Sequence, residues 1–278
     1  MKDYFRQHWP RMLIALILVT IGLYSAVRLV YYAADSFSAR RTNEGLQAEF
    51  EAAEDNSVLS TPAMDSMPFP TATLELQLLD SYQYMGDTIH PKILEIFAKN
   101  PDTVAWLHIP GGIVDLPVVY RDNTFYLDHN FYGKRSNSGT LFLDEKHPFA
   151  QDTQYMVIHG HNWYDGSMFG TLSHYRRDGY MEEHPTVYLY TLYRQEEYEV
   201  IGVLYVPADA QSEGYVPYTG IRRFQSLDQF YDFAEIIQEN ALHWKNGIEM
   251  RPNEAYLALS TCYEEYRIIV FCRRINPQ

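Results

Sequence analysis

Three residue types that can together carry out acyl transfer lie at the ends of predicted strands in this chain. Cys262 closes one apolar run, Arg267 opens the next, and a His-Gly-His element at His159 and His161 ends an earlier run. A thiolate is more nucleophilic beside a cation, and an arginine keeps its charge at any working pH. This combination favours nucleophilic catalysis through a thioester. The competing interpretations are a buried, inert cysteine and an arginine that only pairs with the glutamates of the intervening segment.

The two histidines have the same parity on an extended chain, so strand alternation does not distinguish them. Gly160 and Asn162 mark the end of the strand at His161, where a side chain reaches a cleft, and this favours His161 as the acid–base residue. A metal site needs clustered ligands, and His159 with His161 alone is a weak candidate. We therefore predict no metal and no cofactor.

The chain has only two cysteines, Cys262 and Cys272. If a hairpin turns across 263–267, Cys272 lies about 15 Å along the return strand at about 3.3 Å per residue. A disulfide needs Cα atoms within about 7 Å of each other. Alternation also puts Cys272 on the face opposite Arg267. The sequence thus predicts an inert Cys272 and a free Cys262 thiol.

The N-terminal region reads as a membrane anchor. Met12–Val27 holds no charged residue, and after Arg28 the apolar character continues to Ala34. A spanning helix needs about 20 apolar residues, so this stretch suffices if Arg28 snorkels to the interface. The alternative is a cleaved signal peptide, for which Tyr24–Ala26 is a poor cleavage site. Basic residues before the run favour a cytoplasmic N-terminus: Lys2, Arg6 and Arg11.

The remaining chain divides into a polar stalk and linker at 35–73 and an extracytoplasmic domain at 74–278, after the tip and anchor at 1–34. The net charge of −14 argues against a nucleic-acid partner, because phosphate binding requires a basic face. Leu74–Asn100 has helical spacing, broken near Gly86 and Pro91, with an expected core face of Leu94, Ile96 and Phe97.

Eight short strand-like segments follow, which favours a closed or nearly closed barrel over a doubly wound sheet. They are Thr103–Ile109, Val114–Val119, Thr140–Leu143, Gln154–Ile158, Thr186–Leu192, Tyr198–Val206, Ala255–Thr261 and Ile268–Ile275. One late helix interrupts them, capped by Ser226 or Asp228. Its predicted apolar stripe consists of Phe230, Phe233, Ile236, Ile237 and Leu242.

Four ordered blocks of residues resemble the sortase family, class B. They are the Leu-Ser-Thr-Cys run ending at Cys262; Gly160-His161-Asn162 with Gly166–Gly170; Asn100–Asp102 with Trp106, Ile109-Pro110 and Pro117–Val119; and Tyr126–Gly133 with Gly139–Asp144. The similarity covers about residues 95–278. It implies an eight-stranded sortase-type β-barrel, mainly β, with N-terminal helices and one late helix, preceded by a transmembrane helix.

By this resemblance, His161, Cys262 and Arg267 match the family's catalytic triad. Residues near the triad are expected to bind substrate: Ser260, Asn162 and Thr261. The implied enzyme is a cysteine transpeptidase and endopeptidase on the outer face of the cell membrane. It cleaves exported proteins after the threonine of a C-terminal sorting motif and transfers them to a peptidoglycan-precursor (lipid II-like) amine. Its other expected partner is membrane lipid.

Two departures from the family pattern and two alternatives remain. The segment from Cys262 to Arg267 is shorter than in most class B members, and His159 occupies a position that is often tyrosine. A pilin-polymerising sortase would use a lysine side chain as the nucleophile. A membrane-tethered peptide-binding module would keep the barrel with a vestigial site.

Overall fold

The computed structural model describes residues 2–55, 91–146, 153–191, 195–221 and 224–275. The predicted linker at 57–73 and the first part of the predicted helical region at 74–90 lie outside these residues. The described helices are α1 (Lys2–Asp55), α2 (Pro91–Lys99), α3 (Tyr180–Glu183) and α4 (Leu227–Glu239), with short 3₁₀ helices at Phe125–Leu127 and Gly170–Arg176.

Nine strands in the described part of the chain form one sheet. They are β1 (Thr103–Ile109), β2 (Val114–Val119), β3 (Leu141–Leu143), β4 (Tyr155–Gly160), β5 (Thr186–Thr191), β6 (Gln195–Pro207), β7 (Ala241–Trp244), β8 (Tyr256–Tyr263) and β9 (Tyr266–Ile275). The order β5-β1-β2-β3-β4-β8-β9-β6 closes on itself through β5–β6 pairing, while β7 adds to β6 outside the ring. The predicted eight-stranded closed barrel is confirmed, and each predicted strand overlaps one strand of the ring.

The prediction for the late helix is wrong at its end. Ser226 caps α4 as expected, since its Oγ accepts a hydrogen bond from the Gln229 amide at 3.1 Å. The helix stops at Glu239, because the Asn240 side chain donates to the Ile236 carbonyl at 2.8 Å and the following residues pair with β6. Leu242 therefore lies in β7 and is exposed, not part of the helix stripe.

Alternate side chains of β8 belong to two different apolar clusters. Leu257 and Leu259 face the barrel interior, while Tyr256 and Ala258 face outward beneath α4. Both faces are covered, so the strand reads as a nearly continuous apolar run rather than an alternating one. Cys272, which was predicted to be inert, belongs to the interior cluster and is fully buried.

The second half of α1 packs against the barrel. Ala39, Leu46, Phe50 and Ala53 are buried, and their spacing of seven, four and three residues places them on one helix face. The Phe50 ring stacks on Trp106 with 4.4 Å between centroids. The region predicted as a stalk thus contributes to a third apolar cluster on the outside of the barrel.

The first part of α1 is exposed, and Tyr32 near its end meets Trp163 of the barrel edge-on. Residues 11–34 have no buried side chain, and the helix is long and apolar enough to cross a membrane. On α2, Ile93 and Ile96 are buried, whereas Leu94 is half-buried. The predicted core face is therefore confirmed at Ile96, and Ile93 takes the buried position that was expected for Leu94.

An ionic cluster ties three strands together on the barrel surface. Glu199 of β6 accepts hydrogen bonds from Lys245, next to β7, and from Arg273 of β9 at 2.9 Å. Burial of the Glu199 carboxylate opposes its ionisation, but the two cationic donors outweigh burial and hold its pKa below the ordinary value. This cluster contributes stability above the unfolded-state pKa of glutamate and loses it as the pH falls through the lower folded-state pKa.

Candidate active site

Cys262 and Arg267 lie directly opposite each other on adjacent antiparallel strands. The β8–β9 register pairs Cys262 with Arg267 and Tyr263 with Tyr266. The Cys262 thiol is exposed, and Nη1 of Arg267 donates a hydrogen bond to its sulfur. Within the described residues Arg267 forms no ion pair with either glutamate of the turn. The interpretation of Arg267 as a surface ion-pair partner therefore loses its support.

The short segment between these two residues folds as a tight hairpin. Only Glu264 and Glu265 separate the paired tyrosines, and Glu264 adopts a positive φ of 55°. A residue with a Cβ tolerates this conformation at a cost of about 1–2 kcal/mol. The hairpin therefore keeps the arginine beside the thiol through its register.

The opposite face of this hairpin is fixed by an aromatic cluster. The Arg176 guanidinium lies between the rings of Tyr205 and Tyr263, at 4.2 and 4.5 Å from their centroids. Tyr266 stacks on Tyr205 at 4.5 Å. These contacts involve strands β6, β8 and β9, so they restrain the hairpin end that carries Cys262.

His161 follows the end of β4, beside the strand that carries Cys262. Strands β4 and β8 are parallel, and Gly160 pairs with Thr261, so continuing the register by one residue sets His161 beside Cys262. Adjacent strands are about 4.8 Å apart. The His161 Nε2 contacts the Leu127 carbonyl oxygen at 2.6 Å. A carbonyl only accepts, so Nε2 carries the proton there, and Nδ1 can exchange a proton without breaking the contact.

Gly139 allows the segment that holds His161 to approach it. A Cβ at this position would lie 2.9 Å from His161 Cδ2 and 2.8 Å from the Tyr126 carbonyl oxygen, and φ is +66°. Trp163 also packs against the imidazole, with 5.4 Å between ring centroids. In the sequence Gly139 is recognisable only as part of a motif, because its contact with the histidine joins residues too distant in the chain for spacing to reveal it.

His159 has a different role from His161. Its Nε2 lies 3.0 Å from Oδ2 of Asp144, a buried carboxylate that also accepts from the Asn123 amide at 3.1 Å. The imidazole also packs on the Phe142 ring at 5.3 Å. His159 is thus engaged in a polar network below the site. In the sequence Asp144 stands at the end of a motif, and nothing in its spacing indicates the contact with His159.

The residues predicted to bind substrate occupy distinct positions. Ser260 shares the face of Cys262, but it is buried and its Oγ is 2.7 Å from the Tyr218 hydroxyl. Thr261 faces the other way and donates to the Gly160 carbonyl at 2.7 Å. Asn162 forms a backbone bridge with Met168. Their contact with substrate stays a prediction.

Tyr218 is a residue near the site that sequence reasoning missed. Burial raises the pKa of its hydroxyl above the ordinary value, against the hydrogen bond with Ser260 and the positive charge of Arg267. The hydroxyl therefore stays protonated at neutral pH. It comes from the segment between β6 and α4, where the sequence carries no periodic signal, so only the fold brings it beneath the thiol.

Burial also distinguishes the two thiols chemically. Full burial raises the pKa of Cys272 well above its ordinary value, which keeps that thiol protonated. Both cysteines are free, as the strand geometry predicted. The accessible Cys262, its cationic neighbour and the imidazole that follows the adjoining strand are the groups that nucleophilic acyl transfer requires.

Comparisons with known proteins agree with this arrangement. A family model described as the sortase domain matches residues 107–275, more than half of the chain. Sortase B of Listeria monocytogenes is 25% identical over 188 residues, covering 66% of this chain and 73% of that protein. Sortase B of Staphylococcus aureus is 22% identical over 194 residues, covering 68% and 76% of the two chains.

Solved structures give the same fold. Sortase B from Bacillus anthracis superposes with a TM-score of 0.67 at 21% identity, over 88% of this chain and 99% of that chain. The Staphylococcus aureus sortase B–substrate complex gives 0.67 at 18% identity, over 88% and 100%. These likenesses establish the barrel, and the family match covers the segment that holds the cysteine, histidine and arginine. The chain therefore belongs to the sortase family of cysteine transpeptidases, and its resemblance to class B is confirmed.

Proposed function

We propose that this chain is a membrane-anchored transpeptidase in which Cys262, His161 and Arg267 are the catalytic residues. It cleaves exported proteins after the threonine of a C-terminal sorting motif and joins them to an amine of a cell-wall precursor. The observation that carries the proposal is the hydrogen bond from the Arg267 guanidinium to the exposed Cys262 sulfur. A fixed cation beside an accessible thiol favours the thiolate.

The first half-reaction forms a thioester. The Cys262 thiolate attacks the threonine carbonyl carbon, and the carbonyl electrons move to the oxygen to give a tetrahedral oxyanion. The oxyanion collapses, the C–N bond breaks, and the leaving amine takes a proton from His161 in its imidazolium form. The peptide C-terminal to the threonine departs, and the rest of the substrate stays bound to the sulfur.

The second half-reaction resolves the thioester. The amine of the acceptor attacks the thioester carbonyl and gives a proton to His161, which returns to the imidazolium. Collapse of this second intermediate breaks the C–S bond and regenerates the thiolate. A new amide forms, and both the proton and the charge of the site are restored.

Arg267 supports both steps through its planar fork of donors. One nitrogen of the guanidinium faces the sulfur, which leaves other N–H groups of the same fork to donate to the oxyanion or to the substrate backbone. A lysine would present a single point charge at this position. The arginine is therefore assigned to thiolate stabilisation and oxyanion stabilisation together.

The anchor in this proposal is the first half of α1. It has no buried residue over 11–34 and is long enough to cross a bilayer. The basic residues that precede it favour a cytoplasmic N-terminus, and the catalytic barrel then lies outside the cell.

The test is intact-mass detection of an acyl-enzyme in a peptide-library cleavage screen. Candidate pentapeptides are of the Asn-Pro-x-Thr-Asn and Ser/Pro-Pro-x-Thr-Gly types. The wild-type chain and Cys272→Ala should gain the mass of the N-terminal fragment, and Cys262→Ala should not. Failure of every peptide to acylate a folded wild-type chain would favour the vestigial binding module.

The acceptor amine separates the two enzymatic alternatives. A wall-anchoring enzyme should transfer the acyl group to a precursor-derived peptide amine. Preferential transfer to a pilin lysine side chain would instead identify a polymerising enzyme.

A further inference from the structure

The loop that follows His161 rests on α1. Within Asn162–Gly166, the Trp163 ring meets Tyr32 edge-on with 5.7 Å between centroids. Arg40 forms an ion pair with Asp165, with Nη2 and Oδ2 at 2.9 Å. The loop therefore lies along α1 from Tyr32 to Arg40.

A neighbouring segment makes a similar contact. The Asn137 amide donates to Oδ2 of Asp35 at 2.7 Å. Two segments that flank the catalytic histidine thus both dock on the stretch of α1 just beyond its apolar run. Because α1 is one unbroken helix, the position of these segments along its axis is set relative to the apolar run.

This stretch of helix corresponds to the headgroup layer of a bilayer. A bilayer has a hydrocarbon core of about 30 Å and a total thickness of about 40–45 Å, which leaves about 5–8 Å of headgroups on each side. A helix rises about 1.5 Å per residue, so that layer spans about three to five residues. With the apolar run ending at Ala34, the layer begins at Asp35, between the two residues that hold the loop.

The exposed chemistry of the loop suits this layer. Tyr164 is fully exposed, next to Trp163, whose indole N–H donates to the Ser138 carbonyl at 3.3 Å. Tyrosine and tryptophan are enriched at membrane interfaces because their apolar rings and polar tips match that layer. Burial raises the pKa of the Asp165 carboxyl, but hydrogen bonds from Ser167 and Arg40 outweigh it and hold the pKa below its ordinary value. The loop's carboxylate is thus neutralised by its ion pair.

We propose that the Asn162–Gly166 loop is a bilayer-contacting surface, with Tyr164 among the lipid headgroups, and that it holds His161 at the membrane surface. The inference rests on the membrane anchoring in the proposed function. We identify the binding partner of the loop as the lipid surface, because the contact between Trp163 and Tyr32 joins the loop to the helix that enters the membrane. Catalysis then takes place at the level where a lipid-linked amine is presented.

The experiment uses the full chain carrying Cys262→Ala, which removes the accessible thiol and leaves only the buried Cys272. Tyr164→Cys introduces one labelling site in the loop. The matched control is Glu51→Cys, an exposed position on the same helix. It lies 19 residues beyond Tyr32, which is about 28 Å further along the axis. Each variant is labelled with an environment-sensitive fluorophore and reconstituted into phosphatidylcholine–phosphatidylglycerol liposomes that carry headgroup nitroxides.

Flotation of the liposomes is measured first, and fluorescence second. Both labelled variants should float with the lipid. The label at position 164 should be quenched by the headgroup nitroxides and shift its emission to the blue, and the label at 51 should do neither. If the chain floats but the two labels behave alike, the loop does not contact the bilayer. If the chain fails to float, the anchoring itself is refuted, and with it this surface.

Discussion

Arg267→Lys is the substitution that best tests the geometry of the site, because it keeps the charge and removes the fork. The Arg267 side chain crosses from β9 to β8, where one of its nitrogens donates to the Cys262 sulfur. A lysine ammonium at this position reaches one acceptor at a time as a point charge. The variant should therefore still stabilise the thiolate but lose the donor for the oxyanion.

The size of the effect follows from what one donor contributes. Removing a single oxyanion donor costs about 10²–10³ in turnover, or about 3–4 kcal/mol. Arg267→Lys should lose activity in this range, and Arg267→Ala should lose at least as much because thiolate stabilisation disappears as well. Arg267 is only half-buried, so both variants should keep the thermal stability of the parent within about 1 kcal/mol.

The assay combines initial rates of peptide cleavage with the rate of iodoacetamide alkylation of Cys262 and thermal melting. Arg274→Lys is the matched control, since it makes the same change on the same strand at a residue that pairs with Glu196 at 3.1 Å. The control should cleave peptide at the parent rate. Arg267→Lys should be alkylated but cleave poorly. Cleavage within a few-fold of the parent by both Arg267 variants would show that the guanidinium does not act on the reacting atoms.

Three further experiments test the two histidines, the glycine beside His161 and the acid stability of the barrel. His161→Ala should lower turnover by about 10²–10⁴, while His159→Ala should mainly lower the melting temperature; cleavage rates that depend on His159 instead would reverse the assignment. Gly139→Ala places a Cβ 2.9 Å from the His161 imidazole and should reduce cleavage. Gly133→Ala has a similar positive φ but lies 3.9 Å from its nearest neighbour, so it should cost only backbone strain. Glu199→Gln removes a carboxylate whose pKa is depressed in the folded state. The melting temperature of this variant should therefore fall less than that of the parent between about pH 6 and about pH 3. An equal fall in both proteins would show that Glu199 does not contribute to the acid sensitivity.

The sequence predicts the barrel well because strand periodicity is a local property. Each ring strand leaves a run of apolar or alternating residues in the chain, and the end of β4 is marked by Gly160 and Asn162. Strand β7 was missed because it has four residues and follows the helix without a break in apolar spacing. Its place in the sheet depends on pairing with β6 and on Gly202, where a Cβ would lie 2.4 Å from the Trp244 ring.

In the candidate site, too, contacts between residues close in the chain could be predicted and contacts between distant residues could not. Cys262 and Arg267 could be predicted as neighbours because a hairpin makes their separation a local quantity. The contact between His161 and the Leu127 carbonyl, and that between Tyr218 and Ser260, join residues 34 and 42 positions apart. Such contacts arise only when the ring closes, so spacing along the chain carries no signal of them. The packing of α1 on the barrel was missed for the same reason.

The pairing register of β8 and β9 determines which cysteine is exposed and which is buried. It sets Cys262 opposite Arg267 on the outer face, and it sets Cys272 opposite Leu257 in the interior. Side chains alternate with a period of two, so a slip of one residue between these strands would turn apolar residues of one strand to the wrong face. The buried apolar residues of β9 therefore oppose any slip, and the same packing that buries Cys272 keeps Arg267 beside the Cys262 thiol. In this hairpin one register sets both the packing of the core and the position of Arg267 opposite Cys262.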